Sequence, residues 1–510
     1  MATAPTDSLW RLVVDRAAAT PDAVLAVHQS GEQLTAAQLA GRAEQVAAGL
    51  LARGVAPASV VSWQLPNRIE SFVLTAALAR LGVVQNPLVP ILRSREVTFI
   101  CREARSSTLV VPGVWRGFDY AAMARPIADE LGVDLLVIDT QLPDGDPATL
   151  PPPPVADDSC RWIFYTSGTT AEPKGARHRE HAIAAASRGF EEALDLTDRD
   201  RVAFVAPITH VGGIVLLAAS LRIGCTNLVV ETFDPAEAVR FFRDQGITYV
   251  GMGTPMFTAY LAHQRARPDL APLFPEARAF ISGGAPTPPA LHHELRAELG
   301  TVGVVSGWGL TECPMLTWNS VHDADDDLAT TEGRAVPGAQ VVAVDPDGNE
   351  VAPGEEGELR VTGEQLMLGY VNAALDPAAF DEQGRLHTGD LGVVDERGYV
   401  RITGRLKDII IRNMENISAL ELEQLLFTHP DVRDVAVVGV PDRRTGERVG
   451  AVVVPEPGRH LTLDQLTAHL RAAGISDRKL PELLCELDEL PRNAMGKIVK
   501  ADLTPLFTAG

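Results

Sequence analysis

"YTSGTTAEPKG", residues 165–175, holds five hydroxyl side chains, two glycines and one lysine within eleven residues. Hydroxyls and glycine amides are short hydrogen-bond donors, and a cluster of them on a turn makes a concave anion site over which Lys174 can close. The spacing differs from a G-x-x-x-x-G-K-[ST] loop, because Pro173 precedes Lys174 and Gly175 follows it. The stretch predicts a site for a phosphate chain, and the alternative is a solvated polar loop.

Apolar strand-like runs alternate with helix-like segments on both sides of this stretch, and a capping box at Thr35 and Gln38 predicts the start of one helix. Examples of the strand-like runs are "VVSWQL" at 60–65, "NLVVE" at 227–231 and "RAFISGG" at 278–284. Continuous apolar strands are typical of parallel sheets covered by helices on both faces. The strand "RWIFY", 161–165, ends where the polar stretch begins, which places that stretch where open α/β sheets bind ligands.

The pattern changes twice in the second half of the chain. After residue 336 come short strands with glycine-containing turns, which predict an antiparallel β region. From residue 405 a compact α+β unit follows, with helix starts at Ser418 and Thr462. We therefore predict an α/β fold with a large N-terminal domain, residues 1–404, whose subdomains contain parallel sheets. A small mobile α+β C-terminal domain, residues 405–510, follows a hinge near Lys407.

Composition excludes several partners. The net charge of −22 over 510 residues argues against nucleic acid, which needs a basic face. Five scattered cysteines without metal-ligand spacing and a start without a secretory signal predict reduced thiols and a cytoplasmic protein. The uncharged run 202–221 reaches the length of a membrane span. Pro207 and two glycines interrupt it, which favours a buried strand, a loop and a core helix.

Six motifs together resemble one known family. Besides the opening stretch they are "GWGLTE" (307–312), "GELRVTG" (357–363), "HTGD" (387–390), "GRLKDIII" (404–411) and "PRNAMGKI" (491–498). Their order and spacing resemble the adenylate-forming superfamily, which includes acyl-CoA synthetases, luciferases and the adenylation domains of peptide synthetases. Within it the chain looks like acyl-CoA ligases of the short/medium-chain or cyclohexanecarboxylate type.

The resemblance implies that ATP activates a carboxylic acid to an acyl-adenylate and that the acyl group then passes to the thiol of CoA. Asp390 is implied to bind the ribose hydroxyls, with Arg405 beside it, and Trp308 to stack on adenine. The implied nucleotide-binding residues are Thr166, Ser167, Gly168, Thr169, Thr170, Lys174, Gly283, Gly284, Ala285, Gly307, Trp308, Gly309, Asp390 and Arg405.

The resemblance also implies the catalytic residues. Lys497 is expected to bridge the attacking carboxylate and the α-phosphate. Thr311 is expected beside the α-phosphate, and Glu312 as the ligand of a magnesium ion. Lys407 is implied as the hinge between the two half-reactions, and Asn413 and Met414 as residues that flank the CoA tunnel.

The implied acyl pocket comprises His210, Val211, Gly212, Met252 and Gly253, with His210 as wall or gate and as a fourth catalytic candidate. Amino-acid-activating members of the family place an aspartate where Val211 stands. An unpaired ammonium in an apolar pocket is costly, so a non-amino acid is expected. The glycines, including Gly213 and Gly251, predict a roomy cavity for a fatty, alicyclic or aromatic acid.

Departures from the family pattern leave alternatives open. Ala171 stands where glycine is common, and Asn413 and Met414 replace two glycines. The chain could therefore only convert a preformed acyl-adenylate to the CoA thioester, load a carrier protein, or bind nucleotide without catalysis. The expected partners are a small carboxylic acid, ATP/AMP and CoA, with neither nucleic acid nor a membrane span, and a homodimer is left open.

Overall fold

Two large, mainly parallel sheets dominate the first 335 residues of the structure, and one of them also takes in a strand at residues 369–370. The computed structural model describes residues 8–155, 157–166, 173–251, 253–267, 272–284, 287–412, 415–493 and 496–507. The larger sheet has nine strands, and its six central strands are parallel. In spatial order from edge to edge, the nine strands are Arg334–Ala335, Thr317–Trp318, Val304–Trp308, Ala279–Gly283, Tyr249–Val250, Arg201–Phe204, Thr226–Val229, Val24–His28 and Gln33–Thr35.

The second sheet has seven strands, of which five are parallel. In spatial order they are Gly369–Tyr370, Lys174–His178, Trp162–Thr166, Val84–Pro87, Val60–Trp63, Thr108–Val111 and Asp134–Val137. Lys174–His178 runs antiparallel to Trp162–Thr166, and Thr166 is paired directly with Lys174. The two ends of the predicted phosphate-binding stretch therefore meet at the carboxyl end of a strand, as the sequence predicts.

Two apolar helices form the core between the sheets. Ile69–Leu81 and Val211–Ile223 are buried on almost every side, which is the expected place for a helix that is apolar all round. The core cluster combines Trp63 and Trp162 of the seven-stranded sheet with Phe204 of the nine-stranded sheet. This packing explains the uncharged run 202–221, which forms a strand, a loop and a helix as predicted. Within the described residues, no helix is long and apolar enough to cross a bilayer.

The other helices pack against these two in the same core, on the opposite faces of the two sheets, and in the C-terminal unit. They are Leu9–Ala19, Ala36–Ala52, Ser94–Glu103, Tyr120–Leu131, Glu180–Leu194, Pro235–Asp244, Thr254–Arg265, Pro289–Leu299, Asp325–Thr330, Asp376–Ala379, Ala419–Leu426 and Leu463–Ala472. The helix starts read from the sequence are present. Thr35 and Thr462 form full capping boxes, and the Ser418 hydroxyl accepts the Glu421 N–H.

Two antiparallel sheets follow. The first contains Ala339–Val344, Glu356–Gly363, Leu386–Val394 and Val400–Arg405. The second contains Glu415–Ser418, Ile409–Arg412, Gly446–Pro455 and Val432–Asp442, with Leu483–Glu486 added parallel to Gly446–Pro455. The chain passes from one sheet to the other through the short 3-10 turn Leu406–Asp408. The mixed α/β fold is confirmed, and a domain boundary at this turn stays a prediction.

Gly333 and Gly398 offer a matched test of packing. Both have a left-handed backbone, with φ of +76° and +83°. A Cβ on Gly333 would lie 1.9 Å from the Trp318 carbonyl carbon, whereas a Cβ on Gly398 would meet nothing within 4 Å. We expect Gly398→Ala to lose about 1–2 kcal/mol of unfolding free energy and Gly333→Ala about 1–3 kcal/mol more. Denaturant unfolding of both variants measures the difference, and equal losses would contradict the packing.

Candidate active site

A carboxylate, an indole and a guanidinium meet at one point of the candidate site. Asp390 is 1% exposed and its Oδ2 accepts the indole N–H of Trp308 at 2.9 Å. The Nε of Arg405 lies 2.5 Å from the other oxygen, Oδ1. These three residues come from the strands Val304–Trp308, Leu386–Val394 and Val400–Arg405. The structure thus brings together three predicted adenosine-binding residues that are distant in the sequence.

The position of Trp308 differs from that of a free stacking platform. The residue is only 8% exposed and packs in an apolar cluster with Cys313 and Leu316. Its indole N–H is used by Asp390. The ring therefore supports the carboxylate in this structure, and stacking on adenine stays a prediction.

Glu312 is held by a residue that sequence reasoning missed. The Tyr370 hydroxyl donates to Glu312 Oε1 at 2.8 Å, and the Lys174 ammonium lies 5.8 Å from the centre of the Tyr370 ring. Burial raises the pKa of Tyr370, and the Glu312 carboxylate raises it further, so the hydroxyl stays a donor. Tyr370 follows a glycine outside the recognised motifs, and its strand pairs with the distant strand Lys174–His178 beside Glu312.

The Thr311 carbonyl is held by a residue of the strand Lys174–His178. His178 is fully buried, and its Nε2 lies 2.8 Å from the Thr311 carbonyl oxygen. Burial lowers the pKa of His178 to about 4, so the ring is neutral and Nε2–H donates to the carbonyl. Sequence reasoning missed this histidine too, because its partner lies 133 residues away.

Lys497 reaches the site from the C-terminal unit. Its Cε lies 3.4 Å from the position that a Cβ on Gly284 would take. Burial lowers the pKa of Lys497 to about 8, and the Arg405 cation acts in the same direction. The Asp390 and Glu312 carboxylates oppose this and favour the charged form. Lys497 therefore shares one electrostatic environment with the residues at which ATP binding is predicted.

Asn493 makes two hydrogen bonds with the backbone of Lys497. The Lys497 N–H donates to Asn493 Oδ1 at 3.0 Å, and the Asn493 N–H donates to the Lys497 carbonyl at 2.8 Å. This double contact fixes the turn from which the lysine side chain extends.

His210 caps the central helix Val211–Ile223. Its Nδ1 accepts the Gly212 N–H at 3.2 Å. Burial lowers the pKa of His210 to about 4, and the Lys497 charge lowers it further. His210, Val211 and Thr311 line one cavity of about 20 Å³, together with Pro87, Leu88, Val89, Leu92, Phe164, Tyr165 and Thr209.

This cavity holds about one water molecule. Gly212 and Gly253 are not among its lining residues, so the roomy acyl cavity stays a prediction. A Cβ on Gly213 would lie 2.5 Å from the Pro207 carbonyl oxygen, so this glycine allows close backbone packing and leaves no room for an acid. A Cβ on Gly212 would lie 3.4 Å from His210 Nδ1. Gly253, with φ of +89°, precedes the helix Thr254–Arg265.

Three glycines assigned to nucleotide binding also serve the protein's own packing. A Cβ on Gly307 would lie 2.4 Å from the Trp318 ring, and one on Gly309 would lie 2.6 Å from the Met315 nitrogen. Gly283 pairs with Gly307 across neighbouring parallel strands. Internal contacts thus suffice to explain glycine at 307 and 309, and their contact with ATP stays a prediction.

The predicted hinge lies beside the same charges. Partial loss of water lowers the pKa of Lys407, which is otherwise an exposed residue, and the Arg405 cation lowers it further. Lys500, three residues after Lys497, lies 2.7 Å from Glu423 Oε1 and 4.0 Å from Asp408 Oδ2. Lys500 therefore links the Lys497 segment to the turn Leu406–Asp408.

Part of the predicted site lies outside the described residues. These positions are Ser167, Gly168, Thr169, Thr170, Ala171, Met252, Ala285, Asn413 and Met414. Thr166 and Lys174, which border the first of these segments, are described and paired.

A histidine cluster elsewhere does not make a metal site. His292, His293 and Asp325 lie close enough to share a cation. However, His292 Nδ1 accepts the Val304 N–H at 3.0 Å, so a neutral ring carries its proton on Nε2, which faces Asp325 Oδ1 at 3.1 Å. Arg296 also pairs with Asp325. Since the lone pair of His292 is occupied, the cluster is a structural contact.

Comparison with known proteins identifies this arrangement. The family profile described as "AMP-binding enzyme" matches residues 13–371, and that of the "AMP-binding enzyme C-terminal domain" matches residues 421–497. The chain belongs to the AMP-binding enzyme family. The resemblance to adenylate-forming enzymes of the acyl-CoA synthetase type is thereby confirmed.

Full-length relatives of this family include two CoA ligases. The chain is 34% identical to the indoleacetate–CoA ligase of Aromatoleum aromaticum over 97% of both chains. It is 30% identical to the medium-chain fatty-acid–CoA ligase of Escherichia coli over 95% of this chain and 88% of that protein. The ATP-bound crystal structure of MatB from Rhodopseudomonas palustris superposes with a TM-score of 0.88 at 28% identity, covering 98% of this chain and 99% of the other.

The environment of Lys497 predicts its titration. Since an ordinary lysine has a pKa of about 10.4, we expect Lys497 in the folded chain to be labelled by an amine reagent with a midpoint near pH 8. Arg405→Gln should move the midpoint upward, because it removes a neighbouring cation. Labelling across a pH series, read by peptide mass spectrometry, measures both. The control is the same peptide in the unfolded chain, and equal midpoints in the folded and unfolded chains would contradict the proposed environment.

Proposed function

We propose that the chain is an ATP-dependent, AMP-forming acyl-CoA ligase that acts on a non-amino carboxylic acid. The supporting observation is the position of Lys497, which lies against Gly284 and shares its electrostatic environment with Asp390 and Glu312. ATP and CoA are its nucleotide and thiol substrates, as in the CoA ligases to which it is related.

Lys497 has the chemistry that the first half-reaction needs. A carboxylate oxygen attacks the α-phosphorus of ATP, and the bond to pyrophosphate breaks. Two anions approach each other in this step, so a fixed ammonium between them lowers the barrier by neutralising charge that grows at the α-phosphate. Asp390 and Arg405, fixed by their mutual ion pair, bind and orient the ribose, and Lys174 faces the β- and γ-phosphates.

In the second half-reaction the CoA thiolate attacks the acyl carbonyl, and AMP leaves. Only the first transition state requires Lys497, so the lysine can leave once the adenylate has formed. Lys407, in the turn Leu406–Asp408 between two sheets, is the proposed pivot for that movement. The ion pairs of Lys500 with Glu423 and Asp408 couple the pivot to the lysine segment.

The residues around Glu312 fit a magnesium ion. One carboxylate oxygen accepts from Tyr370, and within the described part of the chain the other has no protein donor and is a hard oxygen ligand of the kind magnesium prefers. Glu312 would hold the ion, which when bound supplies charge neutralisation at the phosphates.

The acid is proposed to be fatty, alicyclic or aromatic. None of the described residues that line the cavity beside His210 carries a carboxylate. A substrate ammonium would therefore stay unpaired in an apolar site, at a cost of several kcal/mol. Since this cavity holds about one water molecule, an acid that enters it displaces the side chains around His210.

The two half-reactions can be separated by one substitution. We expect Lys497→Ala to slow formation of acyl-AMP from acid and ATP about 100- to 1,000-fold, because it removes the cation of the first transition state. Conversion of supplied acyl-AMP and CoA to the thioester should change by less than about threefold. Pyrophosphate exchange and thioester formation with a panel of non-amino acids measure the two steps.

Lys479→Ala is the matched control, since Lys479 is a half-exposed lysine of the C-terminal unit paired with Glu421. It should leave both steps unchanged. Equal loss of both steps in Lys497→Ala would contradict the assigned role. Turnover by the unmodified chain of acyl-AMP but never of free acid with ATP would instead support the partial-reaction alternative.

A further inference from the structure

Tyr370 contacts two predicted ATP-site residues through two different parts of its side chain. Its hydroxyl donates to Glu312 Oε1 at 2.8 Å, and its ring lies under the Lys174 ammonium at 5.8 Å. We propose that Tyr370 is a positioning residue that orients the Glu312 carboxylate through its hydroxyl and the Lys174 ammonium through its ring face. The proposal rests on the proposed function, since it concerns how the phosphate end of ATP is bound.

The tyrosine is well fixed for this purpose. It is 6% exposed, and its backbone N–H donates to Asp376 Oδ1 at 2.8 Å. Gly369 makes this contact feasible, because a Cβ there would lie 2.6 Å from Asp376 Oδ2. The strand Gly369–Tyr370 also pairs with Lys174–His178 through Ala176 and Tyr370. The ring is thus held by a sheet edge and by a carboxylate.

The Glu312 backbone is fixed by the same segment. The Met367 N–H donates to the Glu312 carbonyl at 2.9 Å, and His178 holds the Thr311 carbonyl from the neighbouring strand. Glu312 follows a strand of the nine-stranded sheet, whereas Tyr370 and His178 belong to the two outermost strands of the seven-stranded sheet, and Met367 lies just before the outermost one. Tyr370 therefore fixes the carboxylate across the junction of the two sheets.

The two contacts have different chemical consequences. The hydroxyl occupies one lone pair of Glu312 Oε1, which leaves Oε2 to face a cation on the phosphates. The ring attracts the ammonium by its negative face without any hydrogen bond. A substitution that keeps the ring but removes the hydroxyl separates the two.

Tyr399 provides a matched control outside the site. Its hydroxyl donates to Asp323 Oδ1 at 2.7 Å, and the Arg334 and Arg397 guanidinium carbons lie 4.9 and 4.6 Å from its ring centre. It thus repeats the combination of a carboxylate on the hydroxyl and cations on the ring. Tyr399→Phe removes an equivalent hydrogen bond without touching Glu312 or Lys174.

Calorimetric titration of ATP into the full chain, with magnesium and with a chelator, tests the proposal. The gain in ATP affinity that magnesium gives should be about tenfold smaller in Tyr370→Phe than in the unmodified chain. This is the loss expected when a hydrogen bond to a charged group is removed. Its ATP affinity without magnesium should stay within about twofold, because Lys174 keeps its ring contact. Tyr370→Leu should also weaken binding without magnesium about two- to fivefold.

Tyr399→Phe should match the unmodified chain in both titrations. The proposal is overturned if Tyr370→Phe keeps the full magnesium effect, or if it weakens ATP binding equally with and without magnesium. Melting temperatures of all variants with and without ATP separate local effects from unfolding. A chain that binds ATP normally but forms no thioester would overturn the proposed function and leave these binding results as a test of Tyr370.

Discussion

Three cations, Lys497, Lys407 and Arg405, lie close enough to act on one another at the junction of the N-terminal sheets and the C-terminal unit. Lys497 and Lys407 both have lowered pKa values because they lose water, and the Arg405 guanidinium acts on both. Asp390 already pairs with Arg405, and Glu312 accepts from Tyr370. The two carboxylates therefore compensate these cations only in part. In the proposed function a phosphate chain supplies further negative charge, and relief of the repulsion among these cations favours ATP binding.

The rest of the fold holds these charges in place. The parallel sheets supply the carboxyl ends from which Thr166, Gly283 and Trp308 emerge. The four-stranded antiparallel sheet supplies Asp390 and Arg405 as direct neighbours across a strand pair. The C-terminal unit supplies Lys497. These groups come from different elements, which is the arrangement that the proposed departure of Lys497 after the first step requires.

Local signals were sufficient to predict most of the fold. The capping boxes at Thr35 and Thr462, the apolar strands and the uncharged central helix depend on neighbouring residues, so they are legible in the sequence. The contacts inside the site are long-range: Trp308 and Asp390 are 82 residues apart, and His178 and Thr311 are 133 apart. No periodicity encodes such pairs, which is why Tyr370 and His178 were missed.

Glycine was the least informative residue type. A position without a Cβ can admit a ligand against the backbone, or it can admit a packed side chain such as the Trp318 ring at Gly307. The sequence alone does not distinguish these two uses of glycine. For the same reason the sequence predicts open space at Gly213, where a Cβ would meet the Pro207 carbonyl oxygen. A homodimer, a cytoplasmic location and the roles of the residues outside the described ranges stay predictions.

A crystal structure of the chain with an acyl-sulfamoyl adenosine, a stable mimic of the acyl-adenylate, tests the central claim most directly. The account predicts the Lys497 ammonium within about 3.5 Å of both the acyl carbonyl oxygen and the sulfamoyl group, with the ribose hydroxyls on Asp390. A bound analogue whose reacting centre is neutralised by another cation, with Lys497 remote from it and pointing into solvent, would contradict the account.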